Sequence, residues 1–142
     1  LGTKPDGSLW RVAVQDPLGD GYAGILSVAD SAVITSGGYE RYFEDEDGHI
    51  WWHIIDPKTG YPAENGLVSV TVVGEEGARC DALSTALFVM GEEEAIRFWR
   101  EHRDFEMVLI TDDQRLLITS PLADRFAASR PDKYHMQVIS AE

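Results

Sequence analysis

The sequence lacks several features that define whole classes of protein. It has one cysteine, Cys80, which excludes an internal disulfide and a zinc site built from thiolates. It has no apolar run of about 18 to 20 residues, the length a helix needs to cross a bilayer, and no internal repeat or low-complexity segment. Lys and Arg number 12 against 25 Asp and Glu. The resulting charge of -13 repels a phosphate backbone, so nucleic acid is not an expected partner.

What is present is typical of a single folded domain. A chain of 142 residues can bury roughly two-thirds of its unfolded surface. The balance of 44% hydrophobic and 26% charged residues is that of an ordinary globular protein. The 13 glycines indicate many turns.

Hydrophobic patterning predicts strands with two helices in the middle of the chain. Alternation and β-branched residues predict strands, whereas apolar residues at i, i+3 and i+4 predict helices. The predicted strands are residues 9–15, 25–28, 32–35, 39–43, 50–55, 67–73, 105–110 and 116–119. The predicted helices are residues 78–90 and 92–102, with a weak third at 122–128. The expected fold class is therefore α+β with a mainly antiparallel sheet.

Four consecutive acidic residues, 44–47, precede Gly48 between two predicted strands. They lack the spaced ligand order of a calcium loop, so a solvated hairpin turn is the favoured interpretation.

The first predicted helix carries a polar group of its own. Asp81, Ser84 and Thr85 have i, i+3, i+4 spacing, which places a carboxylate and two hydroxyls on one face. Hard oxygen ligands of this kind suit Mg²⁺ or Ca²⁺. The structural alternative is that Asp81 is a first-turn residue whose charge the helix dipole favours, while both hydroxyls bond back to the preceding turn. Spacing alone favours this alternative.

His53 lies near the end of a predicted strand, three residues before a dense turn that begins at Asp56. Imidazole is the side chain best suited to act as a general base near neutral pH, although a lone histidine is usually structural. His49 and His53 could share a metal ion, but no third nitrogen or thiolate ligand is spaced to join them.

The order of these motifs resembles one family, the ApbE flavin transferases. His-Ile-Ile-Asp-Pro-Lys-Thr-Gly at residues 53–60 and Asp-Ala-Leu-Ser-Thr-Ala at residues 81–86 are its most specific parts. The two specific parts belong to matching segments at residues 53–62 and 80–91, and the other matching segments are residues 10–12, 16–17, 35–39, 41–43 and 67–72. The resemblance covers about residues 2–120 and implies a fold related to the T-fold.

The resemblance implies a role for several residues. Asp81 and Thr85 match Mg²⁺ ligands of the family, and Ser84 matches a position that contributes oxygen. His53 matches the histidine proposed to activate the acceptor hydroxyl. The FAD-binding positions implied are Ile55, Ser36 and Gly37.

The implied activity is Mg²⁺-dependent transfer of FMN from FAD to a threonine of a target flavoprotein, with release of AMP. The alternatives are an FAD pyrophosphatase, which yields FMN and AMP, and a non-catalytic flavin-binding or partner-docking domain. Family members are about twice as long. Residues 1–142 are thus expected to be the C-terminal part of the transferase domain, with the N-terminal half missing. The resemblance also implies an exported or inner-membrane-associated protein on the periplasmic side, although residues 1–142 contain no recognisable targeting signal.

Overall fold

Ten strands and two α-helices follow one another in the computed structural model, which describes residues 2–142. The strands are β1 (Trp10–Gln15), β2 (Tyr22–Val28), β3 (Ala32–Gly37), β4 (Tyr42–Glu44), β5 (Ile50–Trp52), β6 (Leu67–Gly74), β7 (Glu106–Thr111), β8 (Arg115–Thr119), β9 (Phe126–Ala128) and β10 (His135–Ile139). The helices are α1 (Gly77–Met90) and α2 (Glu92–His102), and a short 3-10 turn spans Ser120–Leu122. The predicted α+β class is confirmed.

A five-stranded sheet in the order β10-β8-β7-β6-β3 forms the centre. Its pairs are antiparallel except for β10, which runs parallel to β8. A three-stranded sheet, β1-β2-β9, and a separate two-stranded sheet, β4-β5, complete the strand pairing among the described residues. The prediction of a mainly antiparallel arrangement is therefore confirmed.

Both faces of the central sheet are buried, which gives the fold three layers. Alternate residues of β7 point to opposite sides: Met107 and Leu109 pack towards the helices with Phe88 and Trp99. Val108 and Ile110 belong to a second core, shared with the three-stranded sheet. A strand buried on both faces is continuously apolar, which explains the run of hydrophobic residues in β7.

Gly91 separates the two helices. Its φ of 83° lies in a region that side chains rarely adopt, and its backbone N–H donates to the carbonyl of Leu87 to end α1. Glu92, Glu93 and Glu94 then occupy the first turn of α2, where negative charge is favoured by the helix dipole. Both helices thus begin within one residue of their predicted starts.

The tail departs from the prediction. The helix expected at residues 122–128 is wrong, because that segment forms the end of the 3-10 turn and then β9. Strand β10 was not predicted at all. These strands are stabilised by pairing with distant partners, β2 and β8, and short segments of this kind carry little local pattern.

Two further boundaries differ. The strand predicted at residues 32–35 is two residues longer in the structure. Strand β3 continues through Ser36 and Gly37, because these residues pair with Val70 and Ser69 of β6. The hairpin strands β4 and β5 are shorter than predicted, so His53 lies just after β5. No helix in residues 2–142 has the length and apolar character of a membrane span.

Candidate functional site

Three hydroxyl groups meet where the end of β3 packs against α1. The Ser36 Oγ lies 2.7 Å from the Ser84 Oγ and 3.1 Å from the Thr85 Oγ1. Ser84 is fully buried, whereas Thr85 is exposed. Two of the predicted metal positions and one predicted flavin position are therefore in direct contact, although Ser36 is 48 residues from Ser84 in sequence.

Asp81 lies one helical turn before these hydroxyls. Ser84 Oγ donates to its carbonyl oxygen at 2.9 Å and Thr85 Oγ1 does so at 3.4 Å, which is the back-bonding that the structural alternative expects. The Asp81 carboxylate is exposed, and it has no hydrogen-bond or ion-pair partner within residues 2–142. Folding thus leaves this carboxylate available.

The donor set fits Mg²⁺. A hydroxyl that donates its proton to a carbonyl retains lone pairs on oxygen, so back-bonding does not prevent Thr85 from acting as a ligand. Magnesium usually takes one or two carboxylates and completes its shell with water and phosphate oxygens. Within residues 2–142 no three His, Cys, Asp or Glu side chains are grouped to hold a metal ion. A magnesium ion bound at Asp81 would therefore need phosphate oxygens to complete its ligand shell.

His53 is exposed and fixed by one contact, in which its Nδ1 lies 3.3 Å from the backbone carbonyl of Arg41. A carbonyl accepts hydrogen bonds and cannot donate them, so this contact places the proton of the neutral ring on Nδ1. The lone pair is then on Nε2, which is the state a general base requires. His49, which the sequence offered only as a disfavoured metal partner of His53, pairs with Glu64 through its Nε2 at 3.1 Å.

Ile55 begins a loop whose backbone hydrogen bonds are internal. Asp56 N–H donates to the carbonyl of Tyr61, and Asp56 Oδ1 accepts from the N–H of Lys58. Ile55 itself pairs with Pro62 in an isolated bridge, and its side chain is 46% exposed. The tight reversal predicted from the proline and glycine residues is present, and it holds Ile55 at the surface two residues after His53.

An aromatic cavity of about 230 Å³ lies beside the hydroxyl cluster, and sequence analysis did not identify it. It is lined by Pro17, Gly38, Tyr39, Tyr42, Ile50, Trp52, Val68 and Phe88. Gly38 follows Ser36 by two residues, and Phe88 follows Thr85 by one helical turn, about 5 Å. The cavity therefore adjoins the cluster along both β3 and α1.

Two features of the cavity bear on what it can hold. The indole nitrogen of Trp52 is buried and has no hydrogen-bond partner in residues 2–142. A Cβ on Gly38 would lie 2.8 Å from the Trp52 ring. Gly37 is buried, and a Cβ there would lie 2.2 Å from the Tyr39 ring, so a side chain at this position would displace Tyr39 from the cavity wall. A cavity with apolar aromatic walls suits part of a flavin ring system.

The carboxylate of Asp16 is buried next to Pro17, which lines this cavity. Asp16 is 1% exposed and accepts hydrogen bonds from Lys133 Nζ at 2.8 Å, from the Leu18 N–H at 2.9 Å and from the Tyr134 hydroxyl. Burial opposes ionisation, but these donors outweigh it and hold the pKa of Asp16 below its ordinary value of 3.8. The same contact and burial raise the pKa of Tyr134.

Replacing Asp16 is expected to destabilise the fold. Asp16→Ala leaves Lys133 and Tyr134 without their acceptor, and loss of one partner of a buried pair costs about 3 kcal/mol. Because the carboxyl pKa is lowered in the folded state, its contribution is present above pH 3.8 and is lost as pH falls through the folded pKa. Urea denaturation between pH 7 and pH 2 measures this: the variant should lose stability at neutral pH and show a flatter acid limb. An unchanged pH dependence would contradict the assignment.

Comparison with known proteins identifies relatives of this chain. The model of the ApbE family matches residues 1–109. A protein of Klebsiella pneumoniae named FAD:protein FMN transferase is 38% identical over 120 residues, which are 83% of this chain and 38% of that protein. One of the same name from Treponema pallidum is 41% identical over 118 residues, or 82% of this chain and 32% of that protein.

Solved structures share the fold. An ApbE protein of Thermotoga maritima superposes with a TM-score of 0.70 at 34% identity, covering 93% of this chain and 40% of that one. The flavin transferase ApbE of Vibrio cholerae gives a TM-score of 0.64 at 31% identity, covering 94% and 40%. The chain thus spans about two-fifths or less of the length of these relatives.

Proposed function

The chain belongs to the ApbE family, and from this premise we propose that it takes part in Mg²⁺-dependent transfer of FMN from FAD to a threonine hydroxyl of a target flavoprotein, with release of AMP. The observation that carries the proposal is the unpaired Asp81 carboxylate beside the joined hydroxyls of Ser36, Ser84 and Thr85. Relatives named as FAD:protein FMN transferases support the same activity.

We propose that Asp81 and Thr85 hold the metal ion, with Ser84 and Ser36 fixing their position. A bound Mg²⁺ supplies a counter-charge for pyrophosphate oxygens. Ser84 is buried and cannot reach a phosphate freely, but its contacts to Ser36 and to the Asp81 carbonyl keep the first turns of α1 against β3. The acidic charge of the chain does not prevent binding of an anionic dinucleotide when a cation lies between them.

His53 would accept the threonine proton on Nε2 as the threonine oxygen forms a bond to the FMN phosphorus. The bond from that phosphorus to the bridging oxygen breaks, and AMP leaves with this oxygen. The Arg41 carbonyl would accept a hydrogen bond from Nδ1 of His53, so that the lone pair of the neutral ring is on Nε2 before the transfer and both nitrogens carry a proton after it. The aromatic cavity beside the cluster is the proposed position of the flavin ring, and Ile55 and the backbone of Gly37 would contact FAD.

The relatives are longer, so these residues are proposed to act as the C-terminal part of a transferase whose N-terminal half supplies the rest of the FAD pocket. The periplasmic or membrane-associated location suggested by the family is likewise a proposal.

The test is to incubate a threonine-containing flavoprotein acceptor with FAD, Mg²⁺ and the protein, and to measure the intact mass of the acceptor. The 142-residue chain is assayed beside a chimera, in which it replaces the matching part of the Klebsiella pneumoniae relative. We expect the chimera to add one FMN and release one AMP, and a chelator to prevent both. Free FMN and AMP without a mass gain would instead establish a pyrophosphatase. Retained FAD with neither product would establish a binding domain.

A further inference from the structure

The β4-β5 hairpin has two faces with different surroundings. Tyr42 pairs with Trp52 across the strands, and both side chains line the aromatic cavity. Phe43 pairs with Trp51 on the opposite face, where their rings stack with centroids 6.3 Å apart and planes 13° from parallel. Phe43 is 64% exposed. The hairpin therefore presents aromatic rings to solvent on the face turned away from the cavity.

The Trp51 ring borders a groove of about 340 Å³, which is lined by His49, Trp51, Tyr61, Pro62 and Glu64. The Trp51 and Tyr61 ring centroids are 6.1 Å apart. Asp45 Oδ2 accepts the indole N–H of Trp51 at 2.8 Å, which fixes this ring at the hairpin tip. The groove walls are thus positioned before any ligand arrives.

The charge of the groove favours a cationic ligand. Glu64 lies in it with a half-exposed carboxylate, and its one ion pair within residues 2–142 is to His49. The adjoining tip carries four acidic residues at positions 44–47, whereas the nearby Arg41 and Lys58 are not among the lining residues. A groove that combines a carboxylate with aromatic rings is an environment that a Lys or Arg side chain favours.

We infer that this groove binds a Lys or Arg side chain of the acceptor polypeptide, close to the threonine that receives FMN. The inference rests on the proposed function, because it requires the acceptor to be a protein. Trp51 precedes His53 by two residues, and an extended chain advances about 3.3 Å per residue. A cation in the groove would therefore belong two to four residues from the threonine held at His53.

Binding to the 142-residue chain tests this without turnover. The probe is a synthetic peptide of about ten residues with a central threonine, one lysine three positions away, and otherwise glycine, alanine and serine. Calorimetry should show that a glutamate in place of the lysine weakens binding about tenfold. Glu64→Gln should weaken binding of the lysine peptide about threefold and Tyr61→Ala about fivefold. The matched controls Glu101→Gln and Tyr22→Ala should not alter it.

Turnover provides the second test. In whichever preparation transfers FMN, Glu64→Gln and Tyr61→Ala should raise KM for the acceptor without changing kcat or KM for FAD. If no preparation transfers FMN, the proposed function fails, while the peptide experiment still decides the groove. Equal binding of the lysine and glutamate peptides, or an acceptor KM unaffected by both variants, overturns the inference. Two other results would also overturn it. If Tyr61→Ala dissociates a dimer in sedimentation, a second copy of the chain occupies the groove. If the chimera no longer binds a peptide that the chain alone binds, the N-terminal half occupies it.

Discussion

Replacing Asp81 with alanine is expected to abolish FMN transfer while leaving the fold intact. The carboxylate lies one helical turn before the hydroxyls of Ser84 and Thr85 and has no partner among the residues described, 2–142. Loss of a metal-ligating carboxylate removes several kcal/mol of transition-state stabilisation, so transfer should fall by about 10³-fold or more. Because this side chain is exposed and unpaired, the free energy of unfolding should change by less than about 0.5 kcal/mol.

The measurement is the rate of FMN incorporation in the chimera at increasing Mg²⁺, with urea denaturation of the same variant. Asp124→Ala is the matched control, since Asp124 is also exposed and lies outside the site. Asp81→Glu keeps the charge but displaces the oxygens, so intermediate activity at high Mg²⁺ is expected. Wild-type transfer by Asp81→Ala would remove Asp81 from the metal site.

Replacing His53 should have the second largest effect, and it should be confined to the acceptor step. His53 is exposed and contacts the protein through Nδ1, so His53→Ala removes the proposed base without disturbing the core. General-base catalysis contributes about 10² to 10⁴-fold, and transfer should fall by this amount. The affinity for FAD should not change.

Rescue distinguishes a proton acceptor from a structural residue. Added imidazole should restore part of the transfer by His53→Ala, and it should not stimulate Asp81→Ala. His135→Gln, an exposed histidine on β10, is the control and should transfer FMN normally. Full activity of His53→Ala would show that another group takes the threonine proton.

Much of the fold follows from local pattern. The β-branched residues of β6, the periodic apolar residues of α1 and the glycine between the helices all predicted elements that the structure contains. The C-terminal tail could not be predicted in this way, because β9 and β10 are stabilised by pairing with β2 and β8. A short strand without strong alternation has no local signal that distinguishes it from a helix or a loop.

The candidate site, like the fold, could be predicted from the sequence only in part. Helical spacing placed Asp81, Ser84 and Thr85 on one face and by itself favoured back-bonding over a metal site. The structure shows the back-bonds together with a free carboxylate. No sequence pattern predicted that Ser36 would contact Ser84, that Pro17 and Phe88 would line one cavity, or that Asp16 would be buried against Lys133 and Tyr134. These contacts join segments separated by 48 to 118 residues.

Local sequence patterns were enough to predict the class of fold, the family resemblance and the kinds of side chain available for a site: a carboxylate, hydroxyls and one histidine before a tight turn. Packing between elements set which of these groups meet, which side chain is buried, and which nitrogen of His53 is left to accept a proton. Periodicity indicates the face of an element on which a residue lies, but the partner of that face belongs to an element distant in sequence.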